Sequence, residues 1–214
     1  RPTAAFRRYQ TLLREHPASA LVREISRREF DLAAARHARG KPRLQGHFMA
    51  FGPPLHEVFE KAASHDPYAD HAAYALLLGA TCLYDQGKHE EAEPFLARML
   101  QDHPKSPWAA QAEFLRAMNH YRAYKGPAYD IDPLREAQEG FEGYLRRRPD
   151  GPDAEAASHM LAVISDRWAQ HALEAARIYE RLKRPAAAAL YYEQALDGSP
   201  DSPWSEEARH ALGR

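Results

Sequence analysis

YALLLGATCLYDQGKHEEAEPFLARMLQDHP, residues 74–104, decides the fold. An apolar run from Tyr74 to Tyr84 breaks at Asp85-Gln86-Gly87-Lys88. An amphipathic run from His89 to Asp102 follows, and it stops at His103-Pro104. Large side chains (Leu76, Leu83, Leu96, Met99) recur at helical spacing, with small ones (Ala80, Ala92) among them. Such a run reads as two helices joined by a short turn, the alanines marking where the helices cross closely. Gly87 sits at the turn, where a left-handed backbone costs least.

The stop recurs along the chain. His16-Pro17, Asp66-Pro67, His103-Pro104, Arg148-Pro149 and Ser199-Pro200 each close a helical run and precede another. Self-similarity at tens of residues marks stacked helical hairpins, which display an extended surface and rarely perform chemistry. The 34-residue tetratricopeptide frame fits. With Pro104 at frame position 32, Leu76, Leu83 and Leu96 take the large positions, and Ala80 and Ala92 take the small ones. Anchored on Pro200, the frame gives Ala172, Ala176, Tyr179, Ala188, Tyr192 and Ala195. Anchored on Pro149, it gives Ala137, Phe141 and Tyr144. The preceding helix (Phe114, Ala117, Met118, Tyr121) fits only with about seven inserted residues, visible as Gly126 to Ile131.

The expected fold is all α: a right-handed tetratricopeptide-like α-solenoid of about five degenerate hairpins, the first incomplete. Residues 1–214 form one domain, with irregular insertions at 40–54 and 126–132. Helices are expected near 3–15, 19–39, 54–65, 68–86, 89–102, 106–124, 133–147, 153–183, 186–197 and 203–212. The Gly40–Pro54 loop carries Phe48, Met49 and Phe51 and is expected to fold back onto the repeats, since a mere connector needs no such side chains. Asp132 reads as an N-cap with Pro133 at the first helical position. Ser106-Pro107-Trp108 and Ser202-Pro203-Trp204 are near copies, read as cap, helix opening and a tryptophan packed on the preceding repeat.

Composition excludes several classes. Net charge is −1, which gives no general attraction to nucleic acid or anionic lipid. Only six basic residues are Lys (41, 61, 88, 105, 125, 183), so the rest are Arg, whose fork suits carboxylate partners. The one cysteine, Cys82, lies in an apolar helical run and reads as a small core residue. No stretch approaches the ~18 uninterrupted apolar residues of a membrane span. The chain starts at Arg1 without Met, which leaves room for a signal peptide or lipid-bearing N-terminus cut from before it.

From the third repeat onward the chain resembles a known family. Phe114-Leu115-Arg116-Ala117-Met118 ends a helix, and an insertion runs to Asp132-Pro133. Ala137-x-x-x-Phe141-x-x-x-Leu145-x-x-x-Pro149 follows. Then comes a long run through Ala156, Ile164-x-Asp166-Arg167-x-Ala169-x-His171-x-Leu173-x-x-Ala176-x-x-Tyr179, and finally Ala186-Ala187-Ala188 and the Ser-Pro-Asp-Ser turn at 199–202. This resembles the BamD (YfiO/ComL) outer-membrane assembly lipoproteins, well over about residues 70–214 and more weakly before. Leu190-Tyr191 stands where that family often has a polar-basic pair, so no contact carries over from there. The resemblance implies a non-catalytic scaffold at the periplasmic face of the outer membrane, assisting assembly of β-barrel proteins. It implies protein or peptide partners, among them a barrel-assembly insertase and unfolded outer-membrane proteins. Membrane contact would come only through an N-terminal lipid anchor outside this chain.

No catalytic residue, metal or cofactor is expected. Twelve histidines invite a metal reading. His65 and His71 flank Asp66 and Asp70, but they lack the i, i+4 His pair with an intervening Glu and read as solvated turn residues. His89-Glu90-Glu91-Ala92-Glu93 lacks a second His. His16, His103 and Arg146-Arg147-Arg148 lie at helix C-termini, where the dipole favours cations. In tetratricopeptide folds the first helix of each pair lines the concave face. Those positions are Tyr74, Leu77, Thr81 and Tyr84; Leu115, Asn119 and Arg122; and Gln170, Leu173, Arg177 and Glu180. Tyr and Arg among them suit a peptide-binding groove. Two alternatives stay open: a generic tetratricopeptide adaptor of envelope or cytoplasm, told apart by whether the precursor carries a lipobox cysteine, and a metal-dependent enzyme using the histidines, told apart by elemental analysis.

Overall fold

Phe59, Leu76, Leu83, Leu96 and Met99 are sealed from solvent together with Ala80 and Ala92, so the frame read from residues 74–104 is the packing frame. The computed structural model describes residues 2–16, 19–40, 43–44, 47–48, 53–200 and 202–213, with side chains described from residue 6 and outside 41–52. The described residues form helices α1 (Pro2–Glu15), α2 (Val22–Ala38), α3 (Leu55–His65), α4 (Ala72–Tyr84), α5 (His89–Asp102), α6 (Ala109–Ala123), α7 (Asp132–Arg147), α8 (Ala154–Arg181), α9 (Pro185–Gly198) and α10 (Pro203–Ala211). Among the described residues the regular structure other than helix is a short antiparallel pair, β1 (Arg43–Leu44) with β2 (His47–Phe48), within the expected loop. The fold-back of Phe48, Met49 and Phe51 lies outside the described side chains.

The chain divides into two compact units, Arg1–Leu115 and Arg116–Arg214. In the first, α1 packs on α2, α2 on α3, α3 on α4 and α4 on α5. The helix α4 is apolar all round, and accordingly nearly every residue from Ala72 to Leu83 is buried. The turn after it uses Gly87 at φ +73°, whose N–H donates to Tyr84 O (2.9 Å) while the Lys88 N–H donates to Leu83 O (3.0 Å). Phe30 links α2 to α3 and α4, its ring centroid 6.2 Å from Phe59 and 6.0 Å from Tyr74.

In the second unit α7 packs on α8, α8 on α9, and α10 on both α8 and α9. Ala137, Phe141 and Tyr144 are sealed, as the Pro149 frame requires. The Pro- and Gly-free run after residue 153 is one helix of 28 residues. A Cβ at Gly140 would stand 2.8 Å from Ala117 Cβ, closer than side chains approach, so α6 and α7 meet there only because residue 140 is glycine. Gly140→Val is expected to cost about 1–3 kcal/mol by forced separation, read as a lowered urea midpoint with unchanged slope.

Three local expectations are corrected. The cap of α7 is not Asp132: the helix starts there, Pro133 is its second residue, and the Asp130 carboxylate accepts the Asp132 N–H (3.0 Å). An Asp two residues upstream satisfies one of the free N–H groups of the helix's first turn, in the manner of an Asx turn. Nor are His65 and His71 solvated. His71 is buried with Nε2 2.8 Å from Ser26 Oγ, and His65 Nδ1 lies 3.1 Å from the fully buried Glu29 carboxylate. The reason is α2, which lays its polar Ser26 and Glu29 against the α3–α4 turn. The Ser pair splits: Ser202 caps α10 by accepting the Ser205 N–H (3.1 Å), whereas Ser106 accepts the N–H of Trp108 before α6 begins.

Candidate functional site

The candidate groove residues fall into three groups. Leu77, Asn119 and Leu173 are buried and do not line a surface. Helix α4 lies between α3 and α5, and α8 between α7 and α9, so each has two covered sides and the positions beside Leu76 and Ala172 turn inward. A second group is engaged in packing. Tyr74 stacks on Trp108 (centroids 4.3 Å apart, planes at 17°), and Leu115 packs against the first unit's core. Thr81 Oγ1 donates to Leu77 O (2.9 Å). Arg177 holds Glu174 (2.6 Å) and both carboxylate oxygens of Glu207 (2.6 and 2.7 Å), tying α8 to α10. That double partnership raises its guanidinium pKa further. Gln170 accepts from Arg167 (3.0 Å).

The third group keeps reach to solvent: Tyr84, half-buried with its ring edge-on to His89 at 5.6 Å, and the exposed Arg122 and Glu180. The tryptophans act as packing residues in part. Trp108 covers Tyr74, and Trp204 joins the Ala172–Tyr192 cluster while its Nε1 donates to Asp166 (3.3 Å). Cys82 is buried, its Sγ 3.4 Å from His37 Nδ1.

Sequence reading missed one feature. A cavity of about 420 Å³ is lined by Gln138, Glu142, Leu161, Ser165, Trp168 and Gly198. Trp168 Nε1 donates to Gln138 Oε1 (2.8 Å), and Gln138 Nε2 donates to Glu142 (2.9 Å). Ser165 Oγ donates to Gly198 O. The signal was present: Trp168 lies mid-helix, away from any turn motif. Among the described residues, no three His, Cys, Asp or Glu side chains converge as a metal site, and no helix is long and apolar enough to cross a membrane.

A family model described as "YfiO: Outer membrane lipoprotein" matches residues 56–213, most of the chain. The chain belongs to the YfiO family. The match covers most of α3 and all helices after it. Two curated relatives are similar to it. One is "Outer membrane protein assembly factor BamD" of Rickettsia prowazekii (strain Madrid E), 25% identical over 156 residues, 73% of this chain and 62% of that protein. The other is the BamD protein of Xylella fastidiosa (strain Temecula1 / ATCC 700964), 24% identical over 165 residues, 72% of this chain and 56% of that protein. The chain thus spans less than two thirds of the length of either relative. Within this YfiO member, α1 and α2 lie before the matched region, and the Glu29–His65 and Ser26–His71 contacts join α2 to it.

Proposed function

We propose that this protein is a non-catalytic binding scaffold that assists assembly of outer-membrane β-barrel proteins from the periplasmic face of the outer membrane. The family match over residues 56–213 carries the reading. The names those relatives carry favour it over a generic adaptor or a metal-dependent enzyme. The reading takes residues 1–214 as one scaffold, held at the membrane by a lipid on an upstream cysteine. Its partners are a barrel-assembly insertase and unfolded barrel proteins, which dock extended or helical segments. The solvent-reaching members of the candidate set, Tyr84 on the first unit and Arg122 and Glu180 on the second, supply contacts, and Thr81, Gln170 and Arg177 are further candidates. Tyr and Arg are the side chains that most often dominate interface energetics.

Fluorescence titration of the purified chain with a urea-diluted outer-membrane barrel protein tests the reading. Saturable binding is expected, and its absence rejects the function. Tyr84→Ala with Arg122→Ala is expected to weaken binding about tenfold or more, since truncating a Tyr or Arg that acts as a hot spot removes upwards of ~1 kcal/mol. Circular dichroism should be unchanged. Unaltered affinity rejects the residue assignment and leaves the scaffold reading standing.

A further inference from the structure

The turns closing two hairpins occupy the same place in the repeat but carry different chemistry. After α4 the left-handed residue is Gly87. After α8 it is Lys183, at φ +57°, the one non-glycine residue with positive φ among those described. The bonds match: the Lys183 N–H donates to Glu180 O (2.8 Å) and the Arg184 N–H to Tyr179 O (3.0 Å), as in the α4 turn. A side chain here opposes the preference of this position for glycine, and such an outlier points toward a use for it.

The surroundings agree. Arg181, Lys183 and Arg184 are exposed, and among the described residues none of the three makes an ion pair. Many other surface arginines do pair, as Arg98 does with Asp102 and Arg135 with Asp132. Glu180, the one acid in the segment, interacts with the Tyr192 hydroxyl on α9. Ile178 and Leu182, one helical turn apart, are 47% and 59% exposed. The α8 dipole accounts for cations at this end. It accounts for neither the two exposed aliphatic side chains nor the lysine at a glycine position.

We propose that the α8–α9 tip is a docking surface for an acidic segment of a partner protein. Carboxylates of the segment meet Arg181, Lys183 and Arg184, and an apolar side chain covers Ile178 and Leu182. Charge complementarity fixes the occupant: a cationic rim beside a narrow apolar stripe selects a chain that alternates acid and aliphatic groups. The proposal rests on the scaffold reading and adds where one partner sits and what chemistry it brings.

The test is fluorescence anisotropy of the whole chain with a fluorescein-labelled peptide of Glu and Leu, the Leu residues four apart. Saturable binding that weakens with added salt is expected. Lys183→Gly should raise Tm by about 2–4 °C, the shift of a modest stabilisation in a chain of this size, while weakening the peptide about threefold. Adding Arg184→Gln should bring the loss to about tenfold, the upper scale of two exposed charge contacts. A stabilised Lys183→Gly chain with full peptide affinity overturns the proposal. So does equal binding of the same peptide with Gln for Glu, or sedimentation of the chain with phosphatidylglycerol vesicles while the peptide fails to bind. Retained binding of the unfolded barrel protein under any of these failures shows that this site alone, and not the scaffold function, is lost.

Discussion

Phe141→Ala is expected to remove about 3–5 kcal/mol of folding stability, the usual cost of truncating a sealed aromatic residue. Phe141 has no solvent exposure and stands on α7, one helical turn from Ala137 and beside Tyr144, both equally sealed. The phenyl ring is lost from a region that cannot collapse to refill it. Gly140 already brings α7 against Ala117 at the closest approach the backbones allow, and Tyr144 anchors the next turn by accepting the Asp153 N–H (3.2 Å). Urea denaturation followed by far-ultraviolet circular dichroism should show a transition moving to markedly lower urea. Leu190→Ala serves as the control. Leu190 is 55% exposed, and its truncation should stay within about 0.5 kcal/mol. Equal effects of the two changes would contradict the packing frame.

Ser26→Ala is expected to cost about 2–4 kcal/mol, far above a surface change, because one hydroxyl serves two buried partners. Ser26 Oγ donates to Ala62 O (2.8 Å), so its hydrogen is committed, and the His71 Nε2 beside it must be the donor. The imidazole therefore carries a proton on Nε2. Burial pushes its pKa below the usual histidine value, and Arg27 adds to the shift, while Asp66, Asp31 and Asp70 oppose it. The sign follows from proton binding. Below a pH of about 6.5 the unfolded chain takes up a proton at residue 71 that the folded chain resists, so folding stability drops as pH falls. Above that pH the contribution is fully present. The urea midpoint should fall between pH 7.5 and 5.5, and the fall should be smaller in His71→Gln. An equal fall in both proteins would place the acid sensitivity elsewhere.

The fold was legible wherever burial follows local periodicity. Ala80, Ala92, Ala176 and Ala188 sit where the frame put them because a helix crossing admits only small side chains, whatever surrounds it. Helix stops were readable for the same local reason: a proline cannot extend the helix before it. The surface was read less well. Leu77, Asn119 and Leu173 looked outward when each hairpin was read alone, but α4 and α8 are flanked by the helix before as well as the helix after, which leaves them little outward face. His65 and His71 looked like turn residues because Ser26 and Glu29, which bury them, are more than thirty residues away. Lys183 gave no signal at all, since a lysine in a turn looks ordinary until its φ is known.

The unbroken length of α8 has a mechanical consequence. At about 1.5 Å per residue it is a rod of roughly 42 Å with no proline or glycine at which to bend. Along that rod Trp168 grips Gln138 of α7, Asp166 receives the Trp204 indole, and Arg177 clasps Glu207. No proline or glycine lies between the Leu182 end and Trp168 at mid-helix, so that stretch of α8 has no hinge at which the tip could bend away from the cavity wall.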